Sequence, residues 1–213
     1  MRRIGLLGGM SWESSVEYER VINREVRARL GGVASADLVI RSLDFAVIER
    51  LQANDRWEEA GDALAAAAID LERAGAEVIV LCTNTMHRVI DRIEAAVLAE
   101  VLHIADATAE VLVDEGTRTV GLLGTAFTME QEFYKGRLAD HHGLEVLVPD
   151  AADRALVHRV IYEELCFGRV EAGSRAAYLR IVDGLAARGA EAVILGCTEI
   201  GMLIAQSDTK VRL

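Results

Sequence analysis

The chain has 213 residues, of which 52% are hydrophobic, and its formal net charge is -11 at pH 7. This length and composition fit one or two globular domains with buried cores, and the acidic balance argues against a nucleic-acid-binding surface. No apolar run approaches the roughly 20 residues of a membrane-spanning helix, and the first strand starts at once, so we expect no membrane association, no signal peptide and a cytoplasmic location.

Short apolar runs alternate with longer helical stretches along the chain. Strands are predicted at residues 3–8, 37–42, 77–82, 101–104, 118–123, 144–148 and 191–195. Helices are predicted at residues 13–30, 55–74, 86–99, 105–115, 129–142, 151–166 and 171–188. The alternation predicts an α/β fold with mostly parallel sheets.

One motif occurs twice in the chain. The segment from Arg73 to Thr85 aligns without a gap on the segment from Ala187 to Glu199. Ile4-Gly5-Leu6-Leu7-Gly8 echoes Val120-Gly121-Leu122-Leu123-Gly124 at almost the same offset. We therefore predict two related, pseudo-symmetric lobes, residues 1–99 and 100–203, each a mostly parallel sheet flanked by helices, with a small-molecule site in the cleft between them.

The repeat also indicates which residue of the first half corresponds to each cysteine near the end of a strand. Thr83 aligns with Cys197, whereas Cys82 aligns with Gly196. Because side chains alternate faces along a strand, Cys82 and Thr83 cannot both face Cys197, so we predict that Thr83 does and that Cys82 is a buried neighbour. A cysteine is commonly an inert packing residue, and Cys166 fits that description, but the place of Cys197 after an apolar run favours chemistry.

Several cofactors have no evident binding residues. Neither Lys135 nor Lys210 ends a parallel strand, so a pyridoxal phosphate Schiff base has no anchor. The turn Gly5-x-x-Gly8-Gly9 is not the dinucleotide fingerprint, and no phosphate-binding Gly-Lys-Ser/Thr motif occurs. His141-His142 and the segment 150–153 look like solvated turns. We expect neither a cofactor nor a metal.

Three separated segments carry a resemblance to a known family. Residues 7–14 (LGGMSWES), 82–87 (CTNTMH) and 196–200 (GCTEI) resemble the cofactor-independent aspartate/glutamate racemases, in particular the broad-specificity or L-aspartate/glutamate branch. The family's usual first-half pattern is Cys-Asn-Thr, where this chain reads Thr83-Asn84-Thr85. The resemblance implies a PLP-independent isomerase that forms a D-amino acid, and a homodimer. It also implies that residues 204–213 begin a C-terminal segment returning to the first lobe.

Racemisation needs a base and an acid on opposite faces of one carbon. The resemblance implies that Cys197 deprotonates the L-enantiomer and that Thr83 stands on the protonating side. A thiol with an ordinary pKa of about 8.5 becomes reactive near neutral pH when helix N-termini or donors lower that pKa. A threonine hydroxyl is too weak to be a comparable base, but it can pass a proton directly or through water.

Other polar residues at strand ends are candidate substrate contacts. The set is Met10, Ser11, Asn84, Thr85, Thr125, Thr198 and Glu199, together with backbone N–H groups after Gly8 and Gly124. Each alone is more often a helix N-cap, but their recurrence at four strand ends favours a site. His87 either supports that site or lies on a helix surface.

Substrate and reaction class stay open at this stage. Aspartate-acting members of the family often carry a lysine near Cys166, and this chain has none, so Arg50 is the candidate for a distal carboxylate contact. The sequence also resembles single-cysteine arylmalonate decarboxylases and two-cysteine maleate isomerases. A catalytically weak amino-acid-binding protein is a third alternative.

Overall fold

The computed structural model describes all 213 residues, which form two compact units, Met1–Ile104 and Ala105–Leu213. The first unit contains a parallel four-stranded sheet in the order β2-β1-β3-β4, with strands β1 (Ile4–Gly8), β2 (Leu38–Ser42), β3 (Val78–Leu81) and β4 (Glu100–Leu102). The second contains a parallel three-stranded sheet in the order β6-β5-β7, with strands β5 (Thr119–Gly124), β6 (Glu145–Leu147) and β7 (Ala192–Gly196). The predicted α/β class and all seven predicted strands are confirmed.

The helices of the first unit are α1 (Trp12–Leu30), α2 (Phe45–Ala53), α3 (Trp57–Arg73) and α4 (Ile90–Glu94), and a 3-10 turn spans Thr85–Val89. Helix α2 is not among the predicted helices, and Asp44 caps it by accepting a hydrogen bond from the N–H of Ala46 at 3.0 Å. The prediction of a helix to residue 99 was wrong, because α4 stops at Glu94. The backbone N–H groups of Leu98 and Ala99 bond instead to the Glu72 carboxylate, at 2.6 and 2.8 Å.

The helix α5 (Ile104–Asp114) begins at the last residue of the first unit, and the helices within the second unit are α6 (Ala126–Glu130), α7 (Glu132–His142), α8 (Ala151–Glu163), α9 (Ala172–Ala187) and α10 (Ile200–Leu203), with 3-10 turns at Leu165–Phe167 and Gln206–Asp208. Near the C-terminus, Arg212 forms an isolated parallel bridge with Ala192, and its carbonyl accepts the N–H of Val193 at 2.8 Å. The last residues thus lie beside β7, at its outer edge. None of the helices combines the length and the hydrophobicity of a membrane-spanning segment.

The internal repeat corresponds to a repeated topology. Strands β2-β1-β3 in the first unit and β6-β5-β7 in the second have the same order and the same parallel pairing. A glycine with positive φ follows two residues after the end of the helix that precedes β3 and of the helix that precedes β7, Gly75 at 91° and Gly189 at 105°. That left-handed conformation is open to glycine at little cost, so the matched glycines let α3 and α9 turn back into β3 and β7 in the same way.

Both sheets are buried along their central strands. Leu6 and Leu7 of β1 and Leu122 and Leu123 of β5 are at most 1% exposed. Such strands read as continuous apolar runs because helices cover both faces of a parallel sheet. Their carboxyl ends are where the chain leaves the core, and polar side chains follow there.

Candidate active site

In the first unit, polar residues gather after β1 and β3. These strands are neighbours in register, with Leu7 paired to Leu81, so the residues that follow them emerge at the same edge of the sheet. The predicted site residues here are all buried; they are Met10, Ser11, Thr83, Asn84 and Thr85. The fold therefore brings these five predicted residues to one edge of one sheet.

The second unit repeats this arrangement after β5 and β7. Gly124 pairs with Gly196, so Thr125 and Cys197 follow neighbouring strand ends. Thr125 and Glu199 are buried, whereas Cys197 and Thr198 are half-buried. Four predicted site residues thus lie at the carboxyl edge of this sheet.

The Cys197 thiol forms a hydrogen bond with a buried carboxylate. Its Sγ lies 3.0 Å from Oε2 of Glu199, and the Thr198 hydroxyl donates to the same oxygen at 3.1 Å. Burial raises the pKa of Cys197 well above its ordinary value, and the negative charge of Glu199 raises it further. The expectation of a lowered thiol pKa was therefore wrong, since the nearest strong partner of the sulfur is an acceptor and not a donor.

The other strand-end cysteine has a different environment. Cys82 is completely buried, and its Sγ lies 3.6 Å from the carbonyl oxygen of Val80. Burial raises the pKa of this thiol to about 12. A thiol in this state is a poor nucleophile and a poor base near neutral pH.

Two residues near Cys197 were not selected from the sequence. Cys166, in the 3-10 turn Leu165–Phe167, is close enough for its charge to raise the pKa of Cys197. Tyr178 of α9 has a raised pKa, mainly through burial and next through the charge of Cys197, and its hydroxyl donates to the Val157 carbonyl at 2.9 Å. The family resemblance pointed to the position of Cys166, near which aspartate-acting members often carry a lysine. Nothing in the sequence pointed to Tyr178.

Some predicted anion-binding groups already have partners inside the protein. The N–H of Gly9, the first after Gly8, donates to the Ser15 hydroxyl at 2.8 Å. The Thr125 hydroxyl accepts the N–H of Thr128 at 3.3 Å and so caps α6. The N–H of Ala126 donates to His158 Nδ1 at 3.1 Å.

Asn84 differs from these capped residues. It is 6% exposed, and its side-chain oxygen Oδ1 is buried without a hydrogen-bond partner. Leaving a buried amide oxygen unpaired costs about 1–3 kcal/mol. Such a cost at a strand end is typical of a group that pairs with a ligand or an ordered water molecule.

His87 and Arg50 lie in contrasting environments. His87 is 2% exposed, so the alternative of a helix-surface histidine was wrong. Its Nδ1 lies 2.7 Å from the Thr83 carbonyl oxygen, and its Nε2 accepts the N–H of Ile104 at 3.2 Å. Arg50 is exposed on the last turn of α2.

The whole sequence was also compared with the profiles of known protein families. The profile of the Asp/Glu/Hydantoin racemase family matches residues 7–213. The chain belongs to this family. The assignment covers both units, and so both strand-end clusters.

Solved structures of this racemase family are similar over the full chain. A candidate Asp/Glu racemase from Yersinia pestis is 53% identical with a TM-score of 0.92, and the match covers 100% of this chain and 92% of that one. An aspartate racemase homologue from Pyrococcus horikoshii OT3 is 36% identical with a TM-score of 0.82, covering 100% and 92%. The aspartate racemase of Picrophilus torridus, 21% identical with a TM-score of 0.80 over 100% and 87%, has the same fold.

Proposed function

We propose that this member of the racemase family is a PLP-independent amino-acid racemase that acts on aspartate or glutamate. In this proposal Cys197 and Thr83 work on opposite faces of the substrate α-carbon. The observation that carries the proposal is the thiol–carboxylate pair of Cys197 and Glu199 at the end of β7, at the position that the repeat matches to Thr83 after β3.

The thiol–carboxylate pair supplies the base. In the resting enzyme the proton is on sulfur, consistent with the raised pKa of Cys197, and the Glu199 carboxylate accepts its hydrogen bond. Transfer of that proton to Glu199 leaves a thiolate. The thiolate then takes the α-proton of the L-enantiomer, so that an S–H bond forms, the Cα–H bond breaks and its electron pair stays on the substrate.

Thr83 serves the opposite face. Its hydroxyl, or a water molecule that it holds, delivers a proton to the carbanion and forms the new Cα–H bond. The proton held on Glu199 returns through solvent to the hydroxide or alkoxide left behind, so that charge balances over the cycle. Positioned proton transfer of this kind contributes typically 10²–10⁴-fold to a rate.

The substrate needs anchors for its two charged groups. Hydroxyl donors for the α-carboxylate come from the strand-end residues Ser11, Thr85 and Thr125, whereas the Thr198 hydroxyl donates to Glu199 and contacts the substrate beside that carboxylate. The unpaired Oδ1 of Asn84 is an acceptor and therefore suits the α-ammonium group. Met10 contributes apolar contact beside Ser11.

The substrate class follows from the relatives and not from a distal pocket. The names of the Yersinia and Pyrococcus proteins refer to aspartate or glutamate. For the distal carboxylate we keep Arg50 as the candidate, since a guanidinium binds a carboxylate bidentately. Pyridoxal phosphate has no suitable lysine, because Lys135 is on α7 in a salt bridge with Glu132 and Lys210 is near the C-terminus.

A single-thiol decarboxylase is the second candidate. One observation favours it: a thiol with a raised pKa is a ready proton donor to a carbanion formed by loss of carbon dioxide. The unpaired Asn84 oxygen favours the racemase, because a malonate substrate carries no ammonium group to pair with it. We also propose a homodimer, for which the exposed Trp12 and Leu30 of α1 are candidate contacts.

A substrate panel tests the function. Each L-amino acid is incubated with the wild-type enzyme or with Cys197→Ser, and both enantiomers are quantified by chiral chromatography. We expect D-aspartate or D-glutamate from the wild type and a loss of at least roughly 100-fold in the variant. Release of carbon dioxide from arylmalonates without racemisation would favour the decarboxylase, and binding without turnover would favour an amino-acid-binding protein.

A further inference from the structure

Both backbone polar groups of Thr83, its N–H and its carbonyl oxygen, are held by hydrogen bonds. Its N–H donates to the Leu81 carbonyl at 2.9 Å, a tight turn immediately after β3. Its carbonyl oxygen lies 2.7 Å from Nδ1 of His87, one turn further along the chain. The two bonds hold the backbone that carries the hydroxyl, and the Thr83 residue itself is 9% exposed.

The hydrogen-bond partners of His87 define its protonation state. A carbonyl oxygen can only accept, so Nδ1 must carry a hydrogen. A backbone N–H can only donate, so Nε2 must offer its lone pair to Ile104. His87 is therefore the neutral Nδ1–H tautomer, and neither ring nitrogen can act as a general acid or base without breaking one of these bonds.

The surroundings hold the ring in that orientation. His87 is 2% exposed, and the ring of His103, itself buried, packs edge-on against it with centroids 4.5 Å apart and planes inclined by 60°. Ile104 is the last residue of the first unit, so His87 joins the end of β3 to the backbone at residue 104 within that unit. A side chain locked in this way transmits its own placement to the groups it bonds.

We propose that His87 is the positioning residue for the proton-delivering face of the site: its Nδ1–H fixes the Thr83 carbonyl, and through it the Thr83 hydroxyl. This inference rests on the proposed role of Thr83. It assigns His87 no contact with substrate.

Two substitutions separate the two bonds of His87. In His87→Asn the side-chain amide stands at the position of Nδ1 and keeps a donor for Thr83, while the bond to Ile104 is lost. In His87→Gln the amide reaches the position of Nε2 and keeps an acceptor for Ile104, while the bond to Thr83 is lost. Each variant removes one buried hydrogen bond, so the pair is matched for stability, which thermal unfolding checks.

The kinetic arm compares these variants. We expect His87→Gln to lower kcat roughly 10- to 100-fold with little change in KM, the scale of loss for a misplaced catalytic group. The decrease in kcat should be severalfold smaller in His87→Asn than in His87→Gln. In a Thr83→Ala background the two variants should become equal, because the group they position is gone. The exposed His141, as His141→Asn and His141→Gln, provides the matched surface controls.

The spectroscopic arm does not depend on turnover. Nitrogen-15 NMR of the imidazoles, with His87 assigned from its loss in His87→Asn, should give a protonated Nδ1 and an unprotonated Nε2. The Thr83 methyl resonance should stay in place in His87→Asn and move or broaden in His87→Gln. If the wild type racemises no amino acid, the proposed function fails while this arm still tests the positioning role.

Three results would overturn the inference. They are an Nε2–H or doubly protonated His87, an unchanged Thr83 resonance in His87→Gln, and an active enzyme in which His87→Gln retains as much kcat as His87→Asn or more.

Discussion

Glu199 Oε2 lies 3.0 Å from Cys197 Sγ, two residues earlier in the chain, and the pair occupies the carboxyl end of β7. The carboxylate is buried, and its charge opposes formation of the thiolate. Substituting Glu199 therefore has two opposite effects: it makes the thiol easier to ionise, and it removes the acceptor for the thiol proton.

Glu199→Gln should lower the pKa of Cys197. The neutral amide removes the negative charge that raises this pKa, so alkylation of Cys197 by iodoacetamide near pH 8 should become faster than in the wild type. Racemase kcat should nevertheless fall, by roughly 10²–10⁴-fold, since the proton acceptor is lost. Slower alkylation in Glu199→Gln would contradict the electrostatic assignment, and Glu163→Gln, at an exposed glutamate of α8, is the control.

The pH profile separates a thiol–carboxylate pair from a lone thiol. In the wild type the reactive form, thiolate with protonated Glu199, contains the same single proton as the resting pair. Its fraction is therefore constant with pH wherever the pair holds a single proton, and kcat/KM for the L-substrate should be flat between pH 7 and 8.5. In Glu199→Gln it should rise about tenfold per pH unit below the thiol pKa, because ionisation must occur first.

Parallel profiles in the two proteins would contradict the role of Glu199. Both proteins are assayed with the same substrate, so that the effect of substrate ionisation is equal in the two profiles. The buffers have constant ionic strength.

Cys82 should make the free energy of unfolding fall more steeply as the pH rises above 9. Its pKa is about 12 in the folded protein and about 9 when unfolded, so folding favours the thiol, and this contribution is fully present below pH 9. As the pH rises from 9 towards 12, the free energy of unfolding should fall more in the wild type than in Cys82→Ala. The difference approaches about 1.4 kcal/mol per pH unit, measured by urea titration at each pH. Equal slopes would show that Cys82 is not held as a buried thiol.

The chemical asymmetry of Cys197 and Thr83 cannot alter the equilibrium. The two enantiomers have equal free energy in water, so kcat/KM must be the same in both directions, whereas kcat and KM separately should differ. Progress curves from pure L- and pure D-substrate provide the measurement. A final mixture that stays away from equal proportions would contradict simple racemisation.

The strands were predictable because their apolar runs are short and interrupted by polar residues and glycines. The repeat also indicated which residues follow β3 and β7. Helix α2 was missed because its start depends on the Asp44 cap within a short, weakly periodic segment. The early end of α4 depends on Glu72, a distant residue in sequence whose carboxylate binds the N–H groups of Leu98 and Ala99.

The electrostatics of the site were less predictable than its location. Adjacent letters in Gly-Cys-Thr-Glu do not reveal that the Glu199 side chain folds back onto the sulfur, and that contact reverses the expected direction of the thiol pKa shift. The proximity of Cys166 and Tyr178 to Cys197 likewise arises from tertiary packing, because the three residues lie in the 3-10 turn Leu165–Phe167, in α9 and after β7.

In the proposed mechanism Cys197 and Thr83 act on opposite faces of one carbon. The most direct test follows deuterium at the α-carbon when L-aspartate or L-glutamate, whichever the enzyme turns over, is incubated in deuterium oxide. Thr83→Ala should still exchange the α-proton of the recovered L-enantiomer but form almost no D-enantiomer, while Cys197→Ala should do neither. Wild-type racemisation by Thr83→Ala, or undiminished exchange by Cys197→Ala, would contradict it.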